Sequence, residues 1–294
     1  MALEQMFLEN YELNLGDYKP LANKKDKIIK ENAEADNNSI RLPNGVPLHL
    51  NNTAFSIFEL CDGTNSIQMI LNKMFEAYDV DMEVLKNDVI TNLYSLWKVG
   101  LLVWVQGKNP FLCLYSKKLG EGVVVKSLLF PEARKDMGAY LGQGITDVTL
   151  DEEIRFTPQN IRSGMEGMTD FYFSLEVDHE VAALVCMSTN MSVLPTICNL
   201  SYKIDFLYLE EKHKAVLEEH LDEMLEWAGC WVEQEMHLST IDDKVVFFMK
   251  IADAADKSQE NTLKKLGFVQ VGRLKKELED ADVLCMQKII NMVQ

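Results

Sequence analysis

The feature that most constrains this chain is a run of three short amphipathic segments between residues 50 and 104, separated only by tight turns. The first offers Asn51, Asn52 and Thr53 as N-caps ahead of apolar Phe55, Ile57, Phe58, Leu60 and Cys61, and Asp62-Gly63 stops it. The second follows Thr64-Asn65 and repeats Ile67, Ile70, Leu71, Met74 and Phe75 at the helical period. The third carries Val84, Leu85, Val89, Leu93, Leu96 and Trp97 and ends at Gly100, before a strand-like run over 101–105. Helices this short hold their shape by burying their apolar stripes against one another, which predicts a compact unit of the helix-turn-helix type.

Upstream, 27–30 reads as a short strand. Turn signals at Asp36-Asn37-Asn38 and Pro43-Asn44-Gly45 flank 39–42, which predicts a hairpin wing leading into a strand over 46–50. Residues 1–18 are a mixed acidic and apolar N-terminal extension. The run L-N-x-T-A-x-x-I-x-E-L-C-D-G-T-x-S-I over 50–67, with Tyr78-Asp79 and the closing Gly100-Leu101-Leu102, resembles the PqqD family. Its members are leader-peptide-binding domains of pathways that modify ribosomally made peptides (RiPPs). The resemblance covers 19–106 and implies a winged helix-turn-helix module that takes a substrate's leader as an added strand between its third strand and third helix. The residues so implied are Val46, Leu48 and Leu50 on the strand, with Val89, Leu93 and Leu96 on the helix. Apolar residues at this spacing equally suit a plain core.

Composition narrows the partners. A net charge of -17 would repel a phosphate backbone, and Glu83 and Asp88 stand on the third helix where a DNA reader needs cations. No nucleic acid is expected. The six cysteines are scattered without C-x-x-C spacing, which reads as reduced thiols with no metal. With no signal segment and no apolar run of membrane-spanning length, the expectation is a cytoplasmic protein with no membrane partner.

Residues 107–110 hold the Gly and Pro of a linker, giving domains at 1–106 and 111–294 and an α+β chain overall. The second part reads as mixed α/β. Strands are expected at 111–115 and 123–128, helices at 131–141 and 158–168 with Pro in the first turn, and a hairpin over 171–189. Then come a strand at 202–209, a long helix at 210–231, a strand at 245–251, a short helix at 259–266 and two closing strands. This order, and the segment Lys265-Leu266-Gly267-Phe268 with Gly272-Arg273-Leu274, resembles the GNAT acyltransferases.

That resemblance implies an acyl-CoA or acyl-ACP co-substrate, bound along Leu207 and Leu209 and at the start of the long helix by Lys212, His213, Lys214, Ala215, Val216 and Leu217. The family's loop is glycine-rich; here His213, Ala215 and Leu217 take those places. A tyrosine often precedes the Leu-Gly-Phe segment as the acid, and Leu263 stands there instead, which makes Tyr208 or Ser258 the replacement. Asp205 is the implied base, its alternative being a solvent-facing strand residue. Two functions follow: leader-guided transfer of an acyl group from a thioester to an amine of a precursor peptide, or a non-catalytic chaperone that presents the peptide to a separate maturase.

Overall fold

A computed structural model describes residues 15–22, 28–29, 38–41, 47–107, 109–189, 201–236, 244–275 and 281–291. The chain divides into two compact units, 1–114 and 115–294.

In the first unit, strands β1 (Pro20–Ala22), β2 (Ile28–Ile29), β3 (Asn38–Arg41) and β4 (Pro47–Leu50) lead into helices α1 (Asn52–Leu60), α2 (Ile67–Ala77) and α3 (Met82–Lys98) and then β5 (Leu102–Trp104). Each helix starts where a short polar side chain accepts a free N–H of the first turn: Asn51 for α1, Ser66 for α2 and Asp81 for α3. The α1–α2 turn is organised by Asp62, whose Oδ1 accepts from the hydroxyl and N–H of Thr64 at 2.7 and 2.8 Å and from the N–H of Asn65 at 3.0 Å. Ile57, Phe58, Ile70, Met74, Leu85 and Leu93 close the core. Strands β2, β3 and β4 form an antiparallel sheet in that order, so β4 is an edge, and on its far side no strand pairs with it among the described residues. β1 pairs with β5 in a separate ribbon.

Residues 111–115, expected as a strand, lie in a 3-10 turn over Pro110–Tyr115. The reason is aromatic burial. Phe111 is 1% exposed, with its ring 5.2 Å from Tyr94, 5.5 Å from Trp104 and 5.8 Å from Trp97. The first unit thus extends to residue 114, past the boundary expected at 107–110.

The second unit is one mixed sheet. Its elements are β6 (Ser116–Gly120), β7 (Val123–Ser127), α4 (Phe130–Tyr140), β8 (Ile145–Thr146), α5 (Glu152–Arg155), α6 (Pro158–Glu166), β9 (Asp170–Val177), β10 (Glu180–Ser188), β11 (Ser201–Leu209), α7 (Lys214–Glu235), β12 (Lys244–Ala252), α8 (Ser258–Lys265), β13 (Val269–Leu274) and β14 (Val283–Asn291). Strand order is β13-β14-β12-β11-β10-β9-β7-β6. The α7 crossover makes β11 and β12 parallel, while the other neighbours along this path run antiparallel. Asp178 and His179 take positive φ (49° and 71°) in the two-residue turn between β9 and β10. Alternation sends Phe173 against Trp227 and Trp231 of α7, while Tyr172, Phe206 and Tyr208 pack with Met137 of α4 and Ile161 of α6 on the opposite face.

One departure from a regular sheet positions everything that follows. β11 and β12 pair only over Ser201–Lys203 and Val246–Phe248, and then they part.

Candidate functional site

Asp205 lies just past the point where the two strands separate, and its orientation comes from a bulge. Phe206 pairs with Cys186 and Ile204 with Met187, so one step on β10 matches two on β11 and Asp205 is the extra residue. Strict alternation would set Asp205 and Tyr208 on opposite faces. The bulge instead turns Asp205, Phe206 and Tyr208 all toward α4–α6: Asp205 meets Arg155, the Phe206 ring lies 5.7 Å from that of Phe156, and Tyr208 stacks 4.3 Å from Tyr140.

Asp205 is 2% exposed, which overturns the solvent-facing alternative. It accepts from Arg155 Nη2 at 2.7 Å and Nε at 3.2 Å and from Lys203 Nζ at 3.0 Å, with the Ser188 hydroxyl at 3.4 Å. Arg155 Nη1 reaches Asp170 at 2.8 Å, and Lys203 also faces Asp147 at 3.5 Å. Three buried carboxylates and two cations therefore form one network. Charges out of water need such mutual pairing. Burial raises the proton affinity of Asp170, and the Arg155 guanidinium only partly opposes that. Gly164 permits the arrangement, since a Cβ there would stand 1.8 Å from Asp170 Oδ2.

The network lines a cavity of about 720 Å3 whose lining also includes apolar Leu150, Phe248, Met249, Leu274 and Met286 beside Lys250. Of its charged lining, sequence reasoning had singled out only Asp205. Lys203 left a trace, an opposite charge two residues away on the same strand face. Asp147, Arg155 and Asp170 left none, because they come from a turn, a four-residue helix and the first residue of a strand.

The gap between β11 and β12 is filled by the chain. Ile145 and Thr146 pair antiparallel with Leu207 and Phe206 on the side of β11 that faces away from β10. The Asp147 N–H then donates to Asp205 O at 3.0 Å, and the Val148 N–H to Lys250 O at 2.9 Å. Asp147 Oδ2 accepts the Lys250 N–H at 3.0 Å, while Oδ1 accepts the Thr149 N–H at 3.0 Å and the Thr149 hydroxyl at 2.5 Å.

Of the residues assigned to a cofactor, Leu207 thus has its free edge taken by Ile145. Leu209 stays paired with Ala183, and Leu217 is buried on the inner face of α7. The loop before α7 is a 3-10 turn over Glu211–His213, so the long helix begins at Lys214, later than expected. Its basic side chains face carboxylates: Lys212 at 2.6 Å and the His213 ring at 3.5 Å from Glu180, and Lys214 at 3.8 Å from Glu218, while Ala215 is exposed and Val216 half-buried. The Tyr208 hydroxyl donates to Glu210 at 2.6 Å; burial and that bond push its pKa up to about 12.

In the first unit, Leu50 is buried and Leu48 half-buried on the edge strand; Val46 lies outside the described residues. Val89, Leu93 and Leu96 are at most 2% exposed, so the helix residues expected to touch a peptide are sealed in the core. No described helix is long and apolar enough to cross a membrane, and among the described residues no group of three or more His, Cys, Asp or Glu is placed to hold a metal.

Residues 40–102 match the family described as coenzyme PQQ synthesis protein D (PqqD). No curated protein sequence matches the chain. Similar solved structures include a ribosomal-protein-S5-alanine acetyltransferase from Vibrio fischeri, at 16% identity over 60% of this chain and 96% of that one, TM-score 0.38. Another is RimJ from Mycobacterium smegmatis in complex with CoA-disulfide, at 16% identity over 57% and 81%, TM-score 0.36. A spermidine N-acetyltransferase (SpeG) variant from Vibrio cholerae is similar at 13% identity over 58% and 95%, TM-score 0.39.

Proposed function

We propose, starting from a chain that joins a PqqD-like unit to one with the GNAT order of elements, that the protein matures a ribosomal precursor peptide in the cytoplasm. In this reading the first unit is a winged helix-turn-helix module that holds the leader as a strand added to β4. The second moves an acyl group from a CoA or carrier-protein thioester to an amine of the core, on a lysine or ornithine side chain or at the terminus. The observation that carries the reading is the edge of β4 that no strand pairs among the described residues, inside the stretch that matches PqqD.

The chemistry needs a proton taken from the attacking ammonium and one given to the departing thiolate, as the N–C bond forms and the C–S bond breaks. Asp170, whose proton affinity burial raises, is the acceptor of that proton in this reading, while Asp205 is engaged by Arg155 and Lys203 from two sides. Tyr208 supplies the proton only after leaving Glu210.

A second reading keeps the peptide capture and drops the reaction: a chaperone that presents the peptide to a separate maturase. The filled gap, the glycine-free loop and the Tyr208–Glu210 bond favour it. Incubating the full chain with a leader-core peptide and a series of acyl-CoA and acyl-carrier donors, then weighing the peptide by mass spectrometry, separates the two. A mass gain of one acyl group supports transfer. Tight peptide binding with unchanged mass leaves the chaperone, and absence of peptide binding removes both.

A further inference from the structure

A pair of parallel strands that stop pairing leaves two rows of backbone N–H and C=O groups to be satisfied by something else. Here the occupant is residues 145–148, bonded on one side to 205–207 and on the other to Lys250. We infer that this segment is a displaceable strap occupying the slot of an extended, amide-bearing ligand, the pantetheine arm of the acyl donor. The inference rests on the acyl-transfer reading and adds regulation to it.

The path follows from the acyl-transfer reading. An arm reaching from the loop at 211–213 toward Asp205 and the cavity follows the second half of β11. There the edge away from β10 is the one that Ile145 and Thr146 cover. The strap's grip is short, two residues of ladder and two flanking N–H bonds, and glycines bracket its entry. Gly142 has φ +77°, a conformation open to glycine, and a Cβ on Gly144 would stand 2.6 Å from the Phe206 ring and 2.8 Å from Leu207 O. Glu152 clips the segment from outside, accepting the Gly142 N–H at 3.0 Å and the Thr146 hydroxyl at 3.1 Å.

Its inner anchor is shared with the cavity. Asp147, fully buried, faces Lys203, which in turn holds Asp205. An acceptor that enters the cavity and engages Lys203 or Asp205 weakens the anchor of the strap, so acceptor binding favours donor entry. By linkage, donor binding favours the acceptor by the same factor.

The test uses the full chain, with Asp147→Asn, which keeps shape and removes charge, and Val148→Pro, which removes the N–H bonded to Lys250 O. Calorimetry with CoA and acetyl-CoA is combined with hydrogen exchange at 145–148. The expected results are at least tenfold tighter acetyl-CoA binding by either variant and faster exchange of the strap in wild type once acetyl-CoA is added. Equal binding by all three proteins, with strap amides still protected at saturating acetyl-CoA, overturns the strap and leaves acyl transfer standing. Strap amides that exchange freely in the variants, with no CoA, acetyl-CoA or added acyl-carrier protein bound by any protein, overturn both. The wild-type exchange measurement decides the matter even if a variant fails to fold.

Discussion

Arg155 is the side chain on which the buried network turns, because among the described residues it alone bridges Asp170 and Asp205. Arg155→Ala leaves two carboxylates in the interior without their guanidinium and should cost about 3–5 kcal/mol in urea unfolding. Protonation relieves that defect, so the gap between variant and wild type should narrow as pH falls below neutrality. Asp62 shows the opposite sign. The Thr64 hydroxyl, then the N–H groups of Asn65 and Thr64, hold its pKa down to about 2. Its stabilisation is present above the ordinary carboxylate range and fades as pH falls through that range toward 2. Asp62→Ala should cost about 1 kcal/mol at pH 7 and progressively less in acid, read from denaturation midpoints across pH. Sequence made Asp62 visible because Asp-Gly-Thr spells a turn. It left Arg155 hidden because nothing in its neighbours marks an arginine that bonds 15 and 50 residues away.

Elements were legible where a periodic stripe and a cap coincide. Helices α1, α2 and α3 start and stop within a residue or two of their caps and turn signals, and the β9–β10 hairpin matches its strand pattern. What period and propensity cannot register is the two-residue strand β8, whose existence depends on an opening between strands far along the chain. The bulge at Asp205 is silent for the same reason, since it is defined by the partner strand. The turn over Pro110–Tyr115 read as a strand because its apolar residues serve an aromatic cluster rather than a sheet. At this scale the peptide prediction is specific: a bound leader should slow amide exchange over Pro47–Leu50, while the amides of α2 stay unchanged. Protection of α2 instead would move the site off the β4 edge.

For the whole molecule, the proposed placing of capture and chemistry on separate units of one chain would make binding of the core an intramolecular step. Peptide lacking its leader should therefore react with KM raised about a hundredfold and kcat nearly unaltered, measured by initial rates on leader-core and core-only substrates. A matching fall in kcat would mean that the leader also remakes the site. The net charge of -17 adds a salt dependence, with cationic leaders binding more weakly as ionic strength rises. The arrangement of the larger sheet also bears on biosynthesis. β14 lies between β12 and β13, so until the ribosome has passed residue 291 β12 shows a bare edge and β13 has no neighbour to join. A nascent chain would thus have its first unit assembled while the second is still unfinished, and a stop codon before residue 283 would leave an aggregation-prone strand exposed.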